Sequence, residues 1–454
     1  MRQREVRAAV DRLGAWVAGL RWADVPAGPR ERLGLVLLDV LGVTALGARE
    51  PEQRRLVEAW TPGPGPAPLV GAGCTTMVEA AAWLNATALV RLELDEGHKR
   101  AKGHPAAHAF PAVLALAAER DASGPDTLAA LLAAYEVGAR FGRATRLRPG
   151  THPHGNWGVT GAAAGCARLL GLDAGATAGA IDAGSGMPIA GHFASALDGN
   201  RVRDAWMGSA NVSGLAAARM AAAGLARSTG TAAGSLGELL GELDPAELDA
   251  DPGSRWEVEG GYVKRHASCS FTHAAVDAAL ELRGRLDGEV EEVLVETHSL
   301  AAGLDRRTWT GPLAAMFSVP FTVATALRRG RMDPAALSAE ALADPATAAL
   351  AARVTVRAAP DLDARLPAER PARVTVRSVA GTVTAEAPNP VGDADHHPFT
   401  TQTLPTLLAD LLGGSEPVDA IQAVCAALPG LPAVGDALRG LAGLKEDRSC
   451  VSTP

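Results

Sequence analysis

Aromatic residues make up only 4% of this 454-residue chain, with two tyrosines and seven phenylalanines. Sandwiches and barrels lean on such side chains in their strands, so the core here is left to Ala, Leu and Val. Alanine favours helix and lets helices approach closely, and the composition therefore predicts a mainly α protein. Lysine is scarcer still: Lys99, Lys102, Lys264 and Lys445 are the four in the chain. The basic residues are almost all Arg, and a net charge of −8 with no basic stripe argues against a nucleic-acid partner. The five cysteines, Cys74, Cys166, Cys269, Cys425 and Cys450, form no CxxC pair and are odd in number. They read as reduced thiols in a cytoplasmic protein. No uncharged apolar run reaches the roughly 20 residues that a spanning helix needs. The first twenty residues carry no signal-peptide apolar region, so no membrane partner is expected. Neither a GxGxxG following a strand nor a GxxxxGK[ST] is found, which leaves nucleotide cofactors unsupported.

With 47% apolar and 21% charged residues, the chain is a globular protein long enough for more than one domain. Helical spacing recurs over 29–48, 75–95, 105–120, 125–145, 158–172 and 210–226. The texture then changes. Residues 290–299, 352–359 and 372–387 alternate like strands, the last as a hairpin turning at Ala380-Gly381. Helical segments at 272–286 and 312–329 lie between them. The expectation is a large all-helical domain over 1–255, with 401–454 packing back on it, and a smaller α+β domain over 256–400.

One stretch stands apart from this Ala/Leu background: "LELDEGHKRAKGHPAAH", residues 92–108, gathers acids, histidines and bases. Pro105 suits the first turn of a helix, which puts His104 at or beside an N-cap, where imidazolium is disfavoured and anions are attracted. A neutral histidine beside a bound carboxylate can act as general acid or base. "THPHGNWGVTGAAAG" (151–165) repeats the theme with His152 and His154 ahead of a Gly/Ala helix. "DGNRVRDAWMG" (198–208) brings Arg203, suited to a carboxylate. "YVKRHASCSFTH" (262–273) adds Lys264, Cys269 and His273 at the joint between domains. A metal site competes, but "HPAAH" lacks the glutamate of HExxH and Pro105 disturbs the first ligand's geometry, so none is expected.

These segments together resemble the MmgE/PrpD family of 2-methylcitrate dehydratase, cis-aconitate decarboxylase and iminodisuccinate epimerase. The resemblance runs from "VPAGPRERLGLVLLDVLGVTALGA" through "NATALVRLELDEGH", "HPAAHAFPAVLALAAE", "THPHGNWGVTGAAAGCARLLGL" and "KRHASCSFTHAAVDAA" to "MFSVPFTVATAL". It implies a helical domain with a smaller lid, a homodimer, no cofactor, and chemistry on a small di- or tricarboxylate. It also implies site residues. The family's acidic "DFDDT" element falls on Glu93-Leu94-Asp95-Glu96-Gly97, and its motif histidines fall on His104 and His152. Its lid-joint lysine falls on Lys264, and its basic helix-start residue on Arg203.

On this basis His104, His152, Lys264 and Asp95 are the expected catalytic residues. Glu93, Lys102, His154, Arg203, Cys269 and His273 are the expected substrate-binding residues. Three departures stand out: Gly97 in place of a hydroxyl residue, Arg203 where Lys is usual, and Phe321 where the decarboxylases carry Tyr. Two lost hydroxyls and a changed cation argue against cis-aconitate decarboxylation and leave a hydro-lyase (dehydratase) as the first expectation, with an isomerase, epimerase or decarboxylase of the same family as the alternative. A non-catalytic carboxylate-binding protein is the reading from another class.

Overall fold

The computed structural model describes residues 2–444. Its first half is a packed set of helices: α1 (Arg2–Gly19), α2 (Ala27–Ala48), α3 (Val78–Val90), α4 (Pro105–Arg120), α5 (Gly124–Ala144), α6 (Val159–Leu169), α7 (Ala174–Ser185) and α8 (Val202–Ala222). From Leu35 to Ala48, α2 is buried on every side, as expected of a helix with no polar face. Small residues set the spacing. A Cβ on Gly161 would come within 2.5 Å of the Ala134 carbonyl and 3.0 Å of Gly138 Cα, so α5 and α6 meet almost backbone to backbone.

Arg2–Gly19 and Pro51–Trp60 add helices that the spans read from periodicity do not include, and two further helices depart from that reading. The short α7 is too uniformly Ala and Gly to show a large-residue stripe; Asp173 caps it by accepting from Ala176 N at 2.8 Å. The other, α8, begins at Val202 rather than 210, because the charged residues of its first turn point inward.

The second part is two-layered. It comprises α9 (Ser270–Arg283), β1 (Val290–Thr297), α10 (Val319–Arg329), β2 (Val354–Ala358), β3 (Ala372–Ser378) and β4 (Gly381–Ala387). The sheet runs β4-β3-β1-β2, antiparallel except for the parallel β1–β2 pair. Val293, Val295, Val374 and Val376 face inward, and α9 packs against β3 and β4. The outer face is held by ion pairs such as Arg373–Asp361 at 2.8 Å and Arg357–Glu296 at 2.8 Å. The hairpin turns at Val379-Ala380, one residue before the expected turn. The segment read as one helix over 312–329 is broken. A short helix, Pro312–Met316, ends at Phe317, and Ser318 caps α10 by accepting from Phe321 N at 3.0 Å.

Helices Thr403–Leu412 and Glu416–Ala427 pack on α2, where Gly42 makes room for Leu408. Residues 445–454 of the expected tail lie outside the described residues. Among the described residues no helix is long and apolar enough to cross a membrane. The chain is mainly α, with its one larger sheet in the α+β part.

Candidate active site

The charged stretch between α3 and α4 folds into a tight, buried loop. Gly97–His98 pairs antiparallel with Gly261–Tyr262, and His98 N donates back to Gly103 O at 2.8 Å. His104 is the N-cap of α4, as its sequence suggests. Its side chain does not perform the capping; Glu96 does, accepting from Ala106 N at 3.1 Å. Glu93 and Lys102 both take left-handed backbone angles, φ 54° and 57°, a conformation costly for non-glycine residues and concentrated at functional sites.

His104 Nδ1 lies 2.6 Å from Glu96 O and 3.1 Å from Asp95 Oδ2. A carbonyl can only accept, so Nδ1 carries the hydrogen and Nε2 keeps its lone pair. His152 is fixed in the opposite sense. Its Nδ1 accepts from His154 N at 3.1 Å, which leaves Nε2–H as a donor. No group among the described residues takes Nε2 of either ring, and both rings line one cleft. His108 contrasts with them: Nδ1 donates to His104 O at 2.8 Å and Nε2 accepts from Gly155 N at 3.1 Å, so the ring only holds the two loops together. His154 stands edge-on between His104 and His152, with ring centroids 5.1 and 4.3 Å away.

The surroundings push these imidazoles toward the neutral form. Burial pushes the His104 pKa below the usual value, and the nearby Asp95 charge only partly opposes it. Burial, then the Arg203 charge, hold His152 and His154 well below it. For Glu93, burial would raise the carboxyl, but Arg203 and Lys264 outweigh it and keep the group ionised. Burial would raise the Asp95 carboxyl as well, but the adjacent His104 ring, whose Nδ1 lies 3.1 Å away, and the Lys264 ammonium lower it below the usual value.

The cleft is narrow, enclosing about 50 Å³, or about 410 Å³ when the open space at its mouth is counted. Its walls include Glu93, Lys102, His104, His152, His154 and Cys269, together with Tyr262, Ser270, Phe271, Phe193, Phe317 and Arg370. A larger cavity, bordered by Gln53, Asn85 and Leu444, contains no histidine and lies away from this chemistry.

Four expected site residues do not face the cleft. Asp95 is fully buried behind His104 and acts on the site only through that ring. Lys264 is fully buried beneath the cleft, 3.2 Å from Asp95 Oδ1 and 3.4 Å from Glu93 Oε2. Burial opposes its charge, but the two carboxylates win and hold it protonated above the ordinary lysine value. Arg203 is ion-paired with Glu93, donates to Val90 O at 3.0 Å and reaches Asp204 at 3.1 Å, so its guanidinium is engaged within the protein. His273 lies 3.0 Å from Ser268 O through Nε2, behind the 268–270 turn. Cys269 does line the cleft, but burial pushes its thiol up to about 12, so it is no thiolate nucleophile.

Two departures read from the sequence need correction. Phe321 packs inside the fold against Trp309, with centroids 4.6 Å apart; the aromatic of this segment that faces the cleft is Phe317, delivered by the helix break. Gly97 has not simply lost a hydroxyl either. A Cβ there would overlap the Tyr262 ring and its hydroxyl, so a phenol fills that place. The sequence reading also missed Arg370, a buried arginine in an unremarkable "ERPAR" segment, and it left Tyr262 unassigned although only two tyrosines exist.

Asp95, His104 and His154 offer three ligand atoms within 4.8 Å of one another. The donor set suits protons better than a cation. His104 Nδ1 already carries a hydrogen, and the two carboxylates are already matched by Lys264 and Arg203.

Fold and site together define a mainly helical protein with a histidine-lined cleft and a smaller α+β part. Residues 11–238 match the MmgE/PrpD N-terminal domain and residues 266–417 the MmgE/PrpD C-terminal domain. The chain belongs to the MmgE/PrpD family. It is 30% identical over 292 residues to a cis-aconitate decarboxylase of Aspergillus terreus, covering 60% of this chain and 59% of that protein. It is 26% identical over 291 residues to the cis-aconitate decarboxylase-like protein oryM of Aspergillus oryzae, covering 59% and 60%. Each match thus spans less than two thirds of the relative's length.

Proposed function

We propose that this protein is a cofactor-independent lyase that removes a proton next to a carboxylate of a small di- or tricarboxylic acid, and that it acts as a hydro-lyase. The observation that carries the proton-transfer part of this reading is the pair of opposite tautomers: a lone pair on His104 Nε2 and a hydrogen on His152 Nε2, facing one cleft.

His104 takes the proton from carbon, and the resulting imidazolium is stabilised by the Asp95 charge at 3.1 Å. The electron pair forms the carbon–carbon double bond as the β C–O bond breaks. His104 returns its proton to the departing oxygen, water leaves, and the ring is neutral again. His152 stays neutral throughout, and its Nε2–H donates to the carboxylate oxygen on which charge develops, a role open to a ring whose pKa is depressed. Lys102, whose Nζ meets only the Thr145 carbonyl at 3.3 Å among the described residues, can turn to a substrate carboxylate. Lys264 and Arg203 keep Glu93 and Asp95 ionised from below.

The names of the Aspergillus relatives favour a second outcome from the same site, loss of CO₂ in place of water. NMR in D₂O with citrate-like, aconitate-like and amino-dicarboxylate compounds distinguishes the fates. Loss of a hydroxyl-bearing carbon signal with a new alkene signal supports the hydro-lyase. Deuterium gain at unchanged formula means isomerase or epimerase, and CO₂ release means decarboxylase. No exchange with any compound that binds would favour a carboxylate-binding protein. His104→Gln and His152→Gln should each lower turnover by about 10²–10⁴-fold with little change in thermal stability. Near-normal rates in both would overturn the assignment.

A further inference from the structure

Six Lys and Arg side chains are buried among the described residues: Arg91, Lys99, Arg140, Arg203, Lys264 and Arg370. Five of them have a carboxylate within 4 Å: Glu52 and Asp204 for Arg91, Asp393 for Lys99, Glu136 for Arg140, Glu93 for Arg203, and Asp95 for Lys264. Arg370 has none, although it is only 7% exposed and lines the cleft. Neutral groups hold it instead. Nη2 donates to Lys99 O at 3.0 Å, Nη1 lies 3.4 Å from Ser270 Oγ and 3.5 Å from the Tyr262 hydroxyl, and its backbone N donates to Asn389 Oδ1 at 2.9 Å. The rings of Tyr262 and Phe271 flank the guanidinium at 5.6 and 5.4 Å. A buried charge is retained without a counter-ion only where something else supplies one.

We propose that Arg370, with the hydroxyls of Tyr262 and Ser270, is the docking site for a substrate carboxylate, distinct from the one next to the carbon that His104 deprotonates. This rests on the proton-transfer reading above. A guanidinium fork fixed between two rings presents paired N–H groups in the geometry a carboxylate accepts. Ser270 and Phe271 also begin α9, whose N-terminus adds partial positive charge on the same side. Gly97 belongs to this site indirectly, because any larger residue there would displace Tyr262. His104 and His152 thus lie in the N-terminal family domain and Ser270 and Arg370 in the C-terminal one, with Tyr262 in the segment between the two matches.

The test is titration calorimetry with tricarballylate, a tricarboxylate with neither hydroxyl nor double bond, and with its monoamides. Wild type should bind tricarballylate, and Arg370→Gln should weaken binding by about 30-fold or more, the usual scale for truncating a buried charge-paired group. Tyr262→Phe should weaken it less, and Arg370→Lys should fall between wild type and Arg370→Gln. One monoamide should bind wild type weakly and be nearly indifferent to Arg370→Gln. A merely structural role for Arg370 would instead weaken acid and amides alike and lower the melting temperature of Arg370→Gln and Arg370→Lys together. That result, equal tricarballylate affinity in wild type and Arg370→Gln, or no binding to wild type, would overturn the proposal. Failure of the proton-transfer reading shows separately, as absence of deuterium exchange in wild type while the Arg370-dependent binding persists.

Discussion

Asp95 and Glu96 divide between them the control of one imidazole. The Glu96 carbonyl takes the Nδ1 hydrogen at 2.6 Å and so sets the tautomer; the Asp95 charge, 3.1 Å from the same atom, sets basicity. Removing that charge therefore separates two effects usually lost together. Asp95→Asn should lower kcat by about 10²–10³-fold, the range of a weakened general base, because the tautomer survives. The pH profile should move as well. Asp95 raises the His104 pKa against the larger lowering by burial, so without it the ring stays neutral to lower pH. The acid limb of kcat/KM should shift downward. A shift upward, or no shift, would mean that another group titrates in that limb.

Among the elements, those that shape the site were legible where a single residue type dictates the backbone. Pro105 announced the start of α4 and with it the position of His104. Alternation announced β1, β2 and the β3–β4 hairpin, because one face of that sheet is buried and the other is laced with ion pairs. What stayed hidden was a matter of context. Arg203 and Lys264 read as ligand-facing because charge is normally held at the surface or at a site, and only the folded contacts show them engaged with Glu93 and Asp95. Arg370 gave no signal at all, since arginines are common in this chain and its burial depends on packing between distant segments. The helix break that brings Phe317 rather than Phe321 to the cleft depends on Ser318 capping, one residue away from an uninterrupted reading.

Glycines in these elements differ just as sharply. A Cβ on Gly158, the N-cap of α6, would run into the His108 ring that bridges the two histidine loops, whereas one on exposed Gly175 in α7 meets nothing closer than Asp173 Oδ1 at 3.6 Å. Gly158→Ala should destabilise by about 1–3 kcal/mol, as overpacking does, and lower activity. Gly175→Ala should stabilise by about 0.5–1 kcal/mol through helix propensity. Thermal melts of both variants check the opposite signs.

At the scale of the whole molecule, Lys99 ties the parts together. It lies in the loop that carries the acids and histidines, yet its Nζ reaches Asp393 at 2.9 Å, Asp395 at 3.1 Å and the Ala368 carbonyl at 2.8 Å. Those partners lie in the two segments that border β3 and β4, one of them the segment holding Arg370. Lys99→Met should leave Asp393 buried without its cation and speed backbone hydrogen exchange over 366–371 and 390–396, with α4 and α5 unchanged. Uniform acceleration throughout the chain would point instead to global destabilisation.

The overlap between Gly97 and Tyr262 has a consequence that reaches beyond this one sequence. The two positions lie far apart in the chain but share one volume, so neither can be altered freely. A lineage passing from a side chain at 97 to a phenol at 262 must first shed the former. A lineage returning must shrink residue 262 before residue 97 can grow, and the opposite order crosses a steric barrier in the heart of the cleft. The order of changes at this site is therefore constrained whichever way it runs, and a graft of residue 97 from a relative needs its partner at 262 to travel with it.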